Sequence, residues 1–304
     1  MLSYVSSALL AATTFAAVGK DWNYDDLGRD WGTIHDGKYS LCDTGVEQSP
    51  IDLDPNASSS NNLKLHLTNY YNFVGTSAVD DPTYTTGFAD EEKRAQANLE
   101  VTYWNKEKLE FTPKQFHFHA PSEHSVDEQL YDAEVHFVHV NKGSGTTAED
   151  GTVSGETYGA VIGIFFDVDE DDTPNPFIQE VFDAFTATHD GDDDTSAKQI
   201  AVANFLESVD MTEFWEYDGS FTTPPCTEGI KWNVVKQVQP ISKAQLDFFK
   251  SKLSGDADFA NGNGNNRIVQ DIEDRVLMQY GASGATSMVT YAAATMAAIA
   301  TLFF

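Results

Sequence analysis

The sequence predicts a single, mainly β domain of the α+β class, and three observations carry that prediction. Apolar and polar residues alternate in Leu63–Leu67, Leu99–Trp104, Gln115–His119 and Glu134–Val140, the two-residue period of strands with one buried face. A continuous apolar run, Ala160–Phe166, suits a central strand buried on both faces. Residues 20–280 contain no internal repeat and no low-complexity linker, so one domain is the economical partition of the middle of the chain. Helical periodicity is confined to Pro176–Thr188, Ser196–Val209 and Ser242–Leu253, which predicts three short helices.

Charge excludes whole classes of partner. With 48 acidic against 18 basic residues the formal net charge is -30, which repels nucleic acid and anionic lipid surfaces. The acidic runs Asp167–Asp172 and Asp190–Asp194 read as a solvated, salt-adapted surface, with a weak calcium site as the minor alternative.

The two ends differ from the middle, because residues 1–19 and 281–304 contain no Asp, Glu, Lys or Arg. Residues 1–19 have the short apolar run and small-residue exit of a signal peptide, without its basic start. The tail 281–304 places Gly281, Ala282, Ser283 and Gly284 before the apolar stretch Met288–Phe304, the layout of a GPI-attachment signal. A retained membrane segment is the alternative, although it wants about 20 apolar residues and a flanking charge. The expected mature domain is therefore 20–280, exported to an extracellular or periplasmic surface. Cys42 and Cys226 form no CxxC pair, which leaves a disulfide or two unrelated core thiols, and export favours the disulfide. Asn56-Ala57-Ser58 is an N-glycosylation acceptor triplet.

Chemistry concentrates in two strands. In Gln115-Phe116-His117-Phe118-His119 the period of two sets Gln115, His117 and His119 on one face and both phenylalanines on the other. In Glu134–His139, the residues Glu134, His136 and Val138 share a face and His139 takes the opposite one. If these strands are neighbours, three imidazoles converge. Three neutral nitrogen ligands with a vacant fourth position are the open arrangement of catalytic zinc, whereas structural zinc closes its shell with cysteine. An H-x-H strand alone proves little. Its company is more telling, since Gln115 and Glu134 are groups able to orient the far side of a ligating imidazole. His124, after the turn residues Pro121 and Ser122, and His139, on the wrong face, read as structural.

With those residues in view, the sequence resembles the alpha-class, eukaryotic-type carbonic anhydrases, secreted and with algal members among them. QSPIDL at 48–53, QFHFHAPSEHSVD at 115–127, AEVHFVHVN at 133–141 and GSFTTPPCTEGIKW at 219–232 follow the family's order, in a resemblance running from Trp22 to Arg267. The resemblance implies a large twisted, mostly antiparallel sheet with short peripheral helices. It implies Zn2+ on His117, His119 and His136, with Gln115, Glu134 and the backbone near Asn265 behind these ligands. Thr222 and Glu123 are the implied pair that orients the attacking hydroxide, and Val138, Val161, Phe221 and Trp232 the apolar wall for carbon dioxide. The implied activity is reversible hydration of carbon dioxide to bicarbonate and a proton. A Cys42–Cys226 disulfide is implied as well.

Two rivals are weaker. A cupin would need a Pro-x-Gly and then H-x-x-x-N in its second motif; Asn141 falls one residue too late after His136, and no Pro-x-Gly precedes it. A catalytically silent, surface-binding relative would show a lost ligand, and none is lost. One family feature is missing: no histidine stands between His66 and His117. Thr76 is expected in the slot of the family's proton-shuttling histidine, where a hydroxyl cannot titrate near neutrality, and His35 is the substitute candidate.

Overall fold

A computed structural model describes residues 21–70, 73–77, 86–88, 96–141, 158–189, 199–251 and 260–281. The expected signal peptide, the tail beyond Gly281 and the acidic run Asp190–Asp194 lie outside the described residues.

The strands are β1 (Asp52–Leu53), β2 (Ser58–Ser59), β3 (Lys64–Thr68), β4 (Phe73–Ser77), β5 (Thr86–Phe88), β6 (Asn98–Thr102), β7 (Lys108–His119), β8 (Ser125–Val126), β9 (Gln129–Leu130), β10 (Ala133–Asn141), β11 (Gly159–Asp167), β12 (Gln199–Ile200), β13 (Phe214–Ser220), β14 (Glu228–Pro240) and β15 (Met278–Tyr280). Twelve of them form one sheet, in the order β12-β4-β5-β7-β10-β11-β14-β13-β15-β2, with β6 also on β7 and β3 on β6. Its pairings are antiparallel except β11 with β14 and β15 with β2. The predicted alternating segments all become strands, and Ala160–Phe166 becomes β11, buried along almost its whole length.

The helices are α1 (Leu41–Thr44), α2 (Pro176–His189), α3 (Val202–Ser208) and α4 (Lys243–Phe249). Within Ser196–Val209 the described helix begins at Val202, because Gln199 and Ile200 pair with Val74 and Phe73 as sheet. Helix α4 starts where Ser242 and Gln245 close a capping box, each satisfying an amide that the first turn leaves open.

The sheet separates two cores. Its back face packs Phe116, Phe118, Phe137, Ile162 and Val235 against α2 and α3, where Phe177 and Phe205 stack with centroids 4.2 Å apart. The front face gathers Val138, Val161, Trp215, Tyr217, Trp232 and Val234. A third cluster surrounds Trp31, Tyr39, Cys42 and Cys226, where the Cys42–Cys226 disulfide spans a sequence separation of 184 and ties α1 to the loop between β13 and β14.

Strand β7 owes its usefulness to a bulge. Pairing with β10 jumps from Val138↔Gln115 to His139↔Pro113, leaving Lys114 as the extra residue beside a proline that has no ladder N–H to give. Before the bulge the odd-numbered Phe111 is buried with the back core; after it the even-numbered Phe116 and Phe118 are. The extra residue thereby turns Gln115, His117 and His119 to the front.

Candidate active site

Register brings the site together row by row. His117 sits opposite His136, which sits opposite Gly163, which sits opposite Val234; one row along, Gln115, Val138, Val161 and Trp232 are successive partners across β7, β10, β11 and β14. Directly paired residues share a face at about 5 Å, so the two histidine strands converge. The imidazole centroids lie 4.6 to 5.2 Å apart, and the three side chains each offer a ligand atom within 4.8 Å of the others. Space for this row comes partly from Gly163, where an added Cβ would stand 2.9 Å from Glu134 Oε1.

The far nitrogen of each imidazole has a polar neighbour. His117 Nδ1 meets Gln115 Oε1 at 2.9 Å, and His119 Nδ1 meets the Asn265 carbonyl at 2.7 Å. His136 Nε2 lies 2.9 Å from Glu134 Oε1, within ion-pair reach but off the line of a good hydrogen bond. Asn265 is itself clamped, accepting from the Ala120 N–H and donating to the Phe118 carbonyl. Burial pulls the pKa values of His119 and His136 down, so both rings are neutral, the form that binds a metal.

These residues fit zinc. His119 Nε2 is fully buried with no hydrogen-bond partner, and such an orphan is costly unless something completes it. Three imidazole nitrogens, with no cysteine near, are the donor set of an open catalytic site. Among the described residues a second group, His124, Glu134 and His136, also offers close donor atoms. Its capacity is spent. His124 bridges Glu134 at 2.8 Å and the Tyr217 hydroxyl at 2.7 Å, and Glu134 Oε2 accepts the backbone N–H groups of Glu123 and His124. Burial alone would raise Glu134, yet the imidazoles of His124 and His136 hold it well below the usual carboxylate range.

Glu123 Oε1 accepts the Arg267 backbone N–H at 2.9 Å, while Oε2 faces the cluster, 3.4 Å from His119 Nε2 and 3.8 Å from His136 Nδ1. Burial pushes its pKa well above the usual range, and the Arg267 N–H and the neighbouring Thr222 hydroxyl pull it back down. Thr222 is buried close to Glu123, although Glu123 Oε2 makes no aligned hydrogen bond. Val138, Val161 and Trp232 form a wall of the front core, and Phe221 packs against them with Tyr158 edge-on at 5.7 Å.

His139 faces the back core as its parity requires, and its Nε2 meets the Tyr70 hydroxyl. His35 stands half-exposed in a turn, its ring against the Asp21 carbonyl. Thr76 occupies a strand position in register with Gly87, which pairs in turn with Gln115. The acids of Asp167–Asp172 act locally: Asp169 accepts from the Thr173 N–H and Asp172 from the Lys243 N–H.

Sequence reasoning missed a supporting layer. Tyr217 passes the His124 bond on to Ser49 at 2.9 Å. The Arg267 guanidinium donates to Gln48, Ser49 and the Cys42 carbonyl. The sequence signal for these residues was the position of Gln48 and Ser49 inside the QSPIDL block and of Arg267 close to Asn265.

The family model for eukaryotic-type carbonic anhydrase matches residues 28–281. A carbonic anhydrase of Klebsiella pneumoniae is 30% identical over 279 residues, 90% of this chain and 95% of that protein. Alpha carbonic anhydrase 3 of Arabidopsis thaliana is 32% identical over 227 residues, covering 74% and 72% of the two chains. The alpha-carbonic anhydrase of Thermovibrio ammonificans, solved with the inhibitor sulfanilamide, superposes with a TM-score of 0.64 at 28% identity, over 84% of this chain and 98% of its own. The chain belongs to the eukaryotic-type, alpha-class carbonic anhydrase family.

Proposed function

We propose that this chain is a zinc-dependent carbonic anhydrase, a carbonate dehydratase that interconverts carbon dioxide and bicarbonate with Zn2+ held by His117, His119 and His136. One observation carries the reading: Gln115, the Asn265 carbonyl and Glu134 occupy the far sides of three imidazoles whose remaining nitrogens face one centre. When bound, zinc supplies a Lewis acid and a water of pKa about 7, a figure that carbonic anhydrases themselves provide.

The chain's own residues do the rest. The contacts of Gln115, the Asn265 carbonyl and Glu134 behind the three imidazoles fix tautomers and ring directions. Thr222 would accept a hydrogen bond from the attacking oxygen and donate its own proton to Glu123, orienting a lone pair toward the substrate carbon. That role requires an ionised Glu123, and a dication on the histidines, with the Arg267 N–H, favours it against the cost of burial. Val138, Val161, Phe221 and Trp232 keep water from the place where carbon dioxide rests. Proton removal is the slow part of this reading: Thr76, the expected occupant of the shuttle slot, has no group that titrates near neutrality, and His35 or buffer takes the proton instead.

Zinc content with stopped-flow hydration on the same sample tests the reading. About one zinc per chain, with activity lost on chelation, is expected; full hydration by metal-free protein, or none by the zinc-loaded protein, overturns it. Export remains part of the proposal, supported by the disulfide, a bond of oxidising compartments, and by the exposure of Asn56. Tethering by a glycolipid near Ser283 fails if phospholipase releases nothing and the cell-borne chain still ends at Phe304.

A further inference from the structure

Away from His117, His119 and His136, a cleft of about 560 Å³ opens between the arm made by β3, β6 and β7, the start of β13 and the end of β15. That size lies within the few hundred to about 1,000 Å³ usual for small-ligand sites. Its charge is unlike the rest of the chain. Three lysines, Lys64, Lys106 and Lys108, line it with a single carboxylate, Glu100, in a protein where acids outnumber bases 48 to 18. Lys108 is committed to Glu100 at 2.9 Å. Lys64 and Lys106 have no acidic partner among the described residues.

The cations are set in place by backbone. Lys64 pairs with Thr102 and Thr102 with Lys108, so the two lysines flank a hydroxyl at a separation of about two strand spacings, ~10 Å. Lys106 sits in the turn between β6 and β7 at φ 72°. That turn is held by Lys106 N–H to the Tyr103 carbonyl and Tyr103 N–H to the Glu107 carbonyl, both at 2.9 Å. Asn62 Nδ2 ties the turn to the segment before β3 through the Trp104 carbonyl at 3.1 Å. The opposite wall is apolar or ring-bearing, with Met211, Phe214 and Tyr280.

We propose that this cleft binds a small organic anion, its apolar body lying along Met211 and Tyr280 and its phosphate, sulfate or carboxylate group received by Lys64 and Lys106. Long polyanions are excluded by the field of the remaining surface, which a small ligand of one or two charges meets only briefly. A point-charge ammonium on each side suits any of these oxyanions. The site shares no residue with the histidine cluster, and its occupation is independent of the reaction proposed there.

Titration calorimetry of the zinc-loaded full chain with phenyl phosphate tests it, with inorganic phosphate as the ligand lacking a body. Phenyl phosphate should bind at one site, more weakly as salt rises, and at least several-fold more tightly than inorganic phosphate. Lys64→Gln and Lys106→Gln should each weaken it about tenfold, the loss of one charge-assisted hydrogen bond. Lys243→Gln, on α4 and paired with Asp247, should leave binding unchanged, and carbon dioxide hydration should be the same in all three variants. Absence of binding, or wild-type affinity in the Lys64→Gln/Lys106→Gln double variant, overturns the site; equal affinity for inorganic phosphate overturns its apolar half.

Discussion

The two faces of the central sheet bury polar groups to opposite effect. On the front, buried polar atoms without partners, His119 Nε2 and Glu123 Oε2, lie 3.4 Å apart and point into one centre. On the back, Glu216 of β13 pairs with Asn233 of β14 and Asp218 with Lys231, near Tyr103. There the Asn233 Oδ1 and Tyr103 hydroxyl are buried without partners, and among the described residues no metal-ligand set includes them or Glu216. Orphaned atoms that converge make a site; orphaned atoms that do not are a cost to stability.

The comparison breaks first at the ligands. Replacing His117, His119 or His136 by Ala should remove most bound zinc and nearly all hydration, since three ligands leave no spare; full zinc and wild-type activity in any one variant would refute the front face as a metal site. A third region sets the next scale. Cys42→Ser with Cys226→Ser should lower unfolding free energy by roughly 2–5 kcal/mol in denaturant titrations, and hydration should suffer as well because the bond braces the loop that carries Thr222. A double variant as stable as the parent would show that the loop is held without the bond, by contacts such as Gln48 Nε2 to the Cys226 carbonyl.

Subtler changes sharpen the contrast. Gln115→Leu keeps the volume but removes the Gln115 Oε1 contact from His117 Nδ1, and zinc affinity should fall about 10–100-fold by competition with a chelator. An unchanged affinity would mean that the far-side bond is idle.

The back face answers to pH. Burial pushes Glu216 from 4.5 to about 8, Lys231 opposing and Asp218 adding to it. The folded state therefore holds a proton that the unfolded chain has released between pH 4.5 and about 8, so Glu216 costs nothing below that window. Its cost grows with pH through the window, at up to ~1.4 kcal/mol per pH unit, and is constant above it. Glu216→Gln should match the parent in melting temperature near pH 4.5 and exceed it increasingly toward pH 8 without changing zinc content; equal melting temperatures across that range would place the carboxylate in water. The smallest effect concerns proton removal: raising an imidazole-type buffer should increase kcat several-fold with kcat/KM nearly constant, whereas a high, flat kcat at low buffer would reveal an internal shuttle.

Much of this was legible in the chain itself. Alternation located β3, β6, β10 and the active end of β7, because a half-buried strand must repeat every two residues. The paired histidines with Gln115 and Glu134 announced a ligand set, because each ligating imidazole needs a partner behind it. Other features depend on residues distant in sequence. Parity counted from Phe111 would send His117 to the back, and only the bulge at Lys114 reverses it. His124 reads as an isolated histidine until Tyr217 and Glu134 close on both its nitrogens, and Glu216 as an ordinary strand acid until the fold removes its water. The sequence alone determined which side chains could bind a metal and on which strands they lie, since composition and periodicity are local. Tertiary structure decided which face they point to and which charges lose their solvent, since register and burial are set by strands that meet across the whole chain.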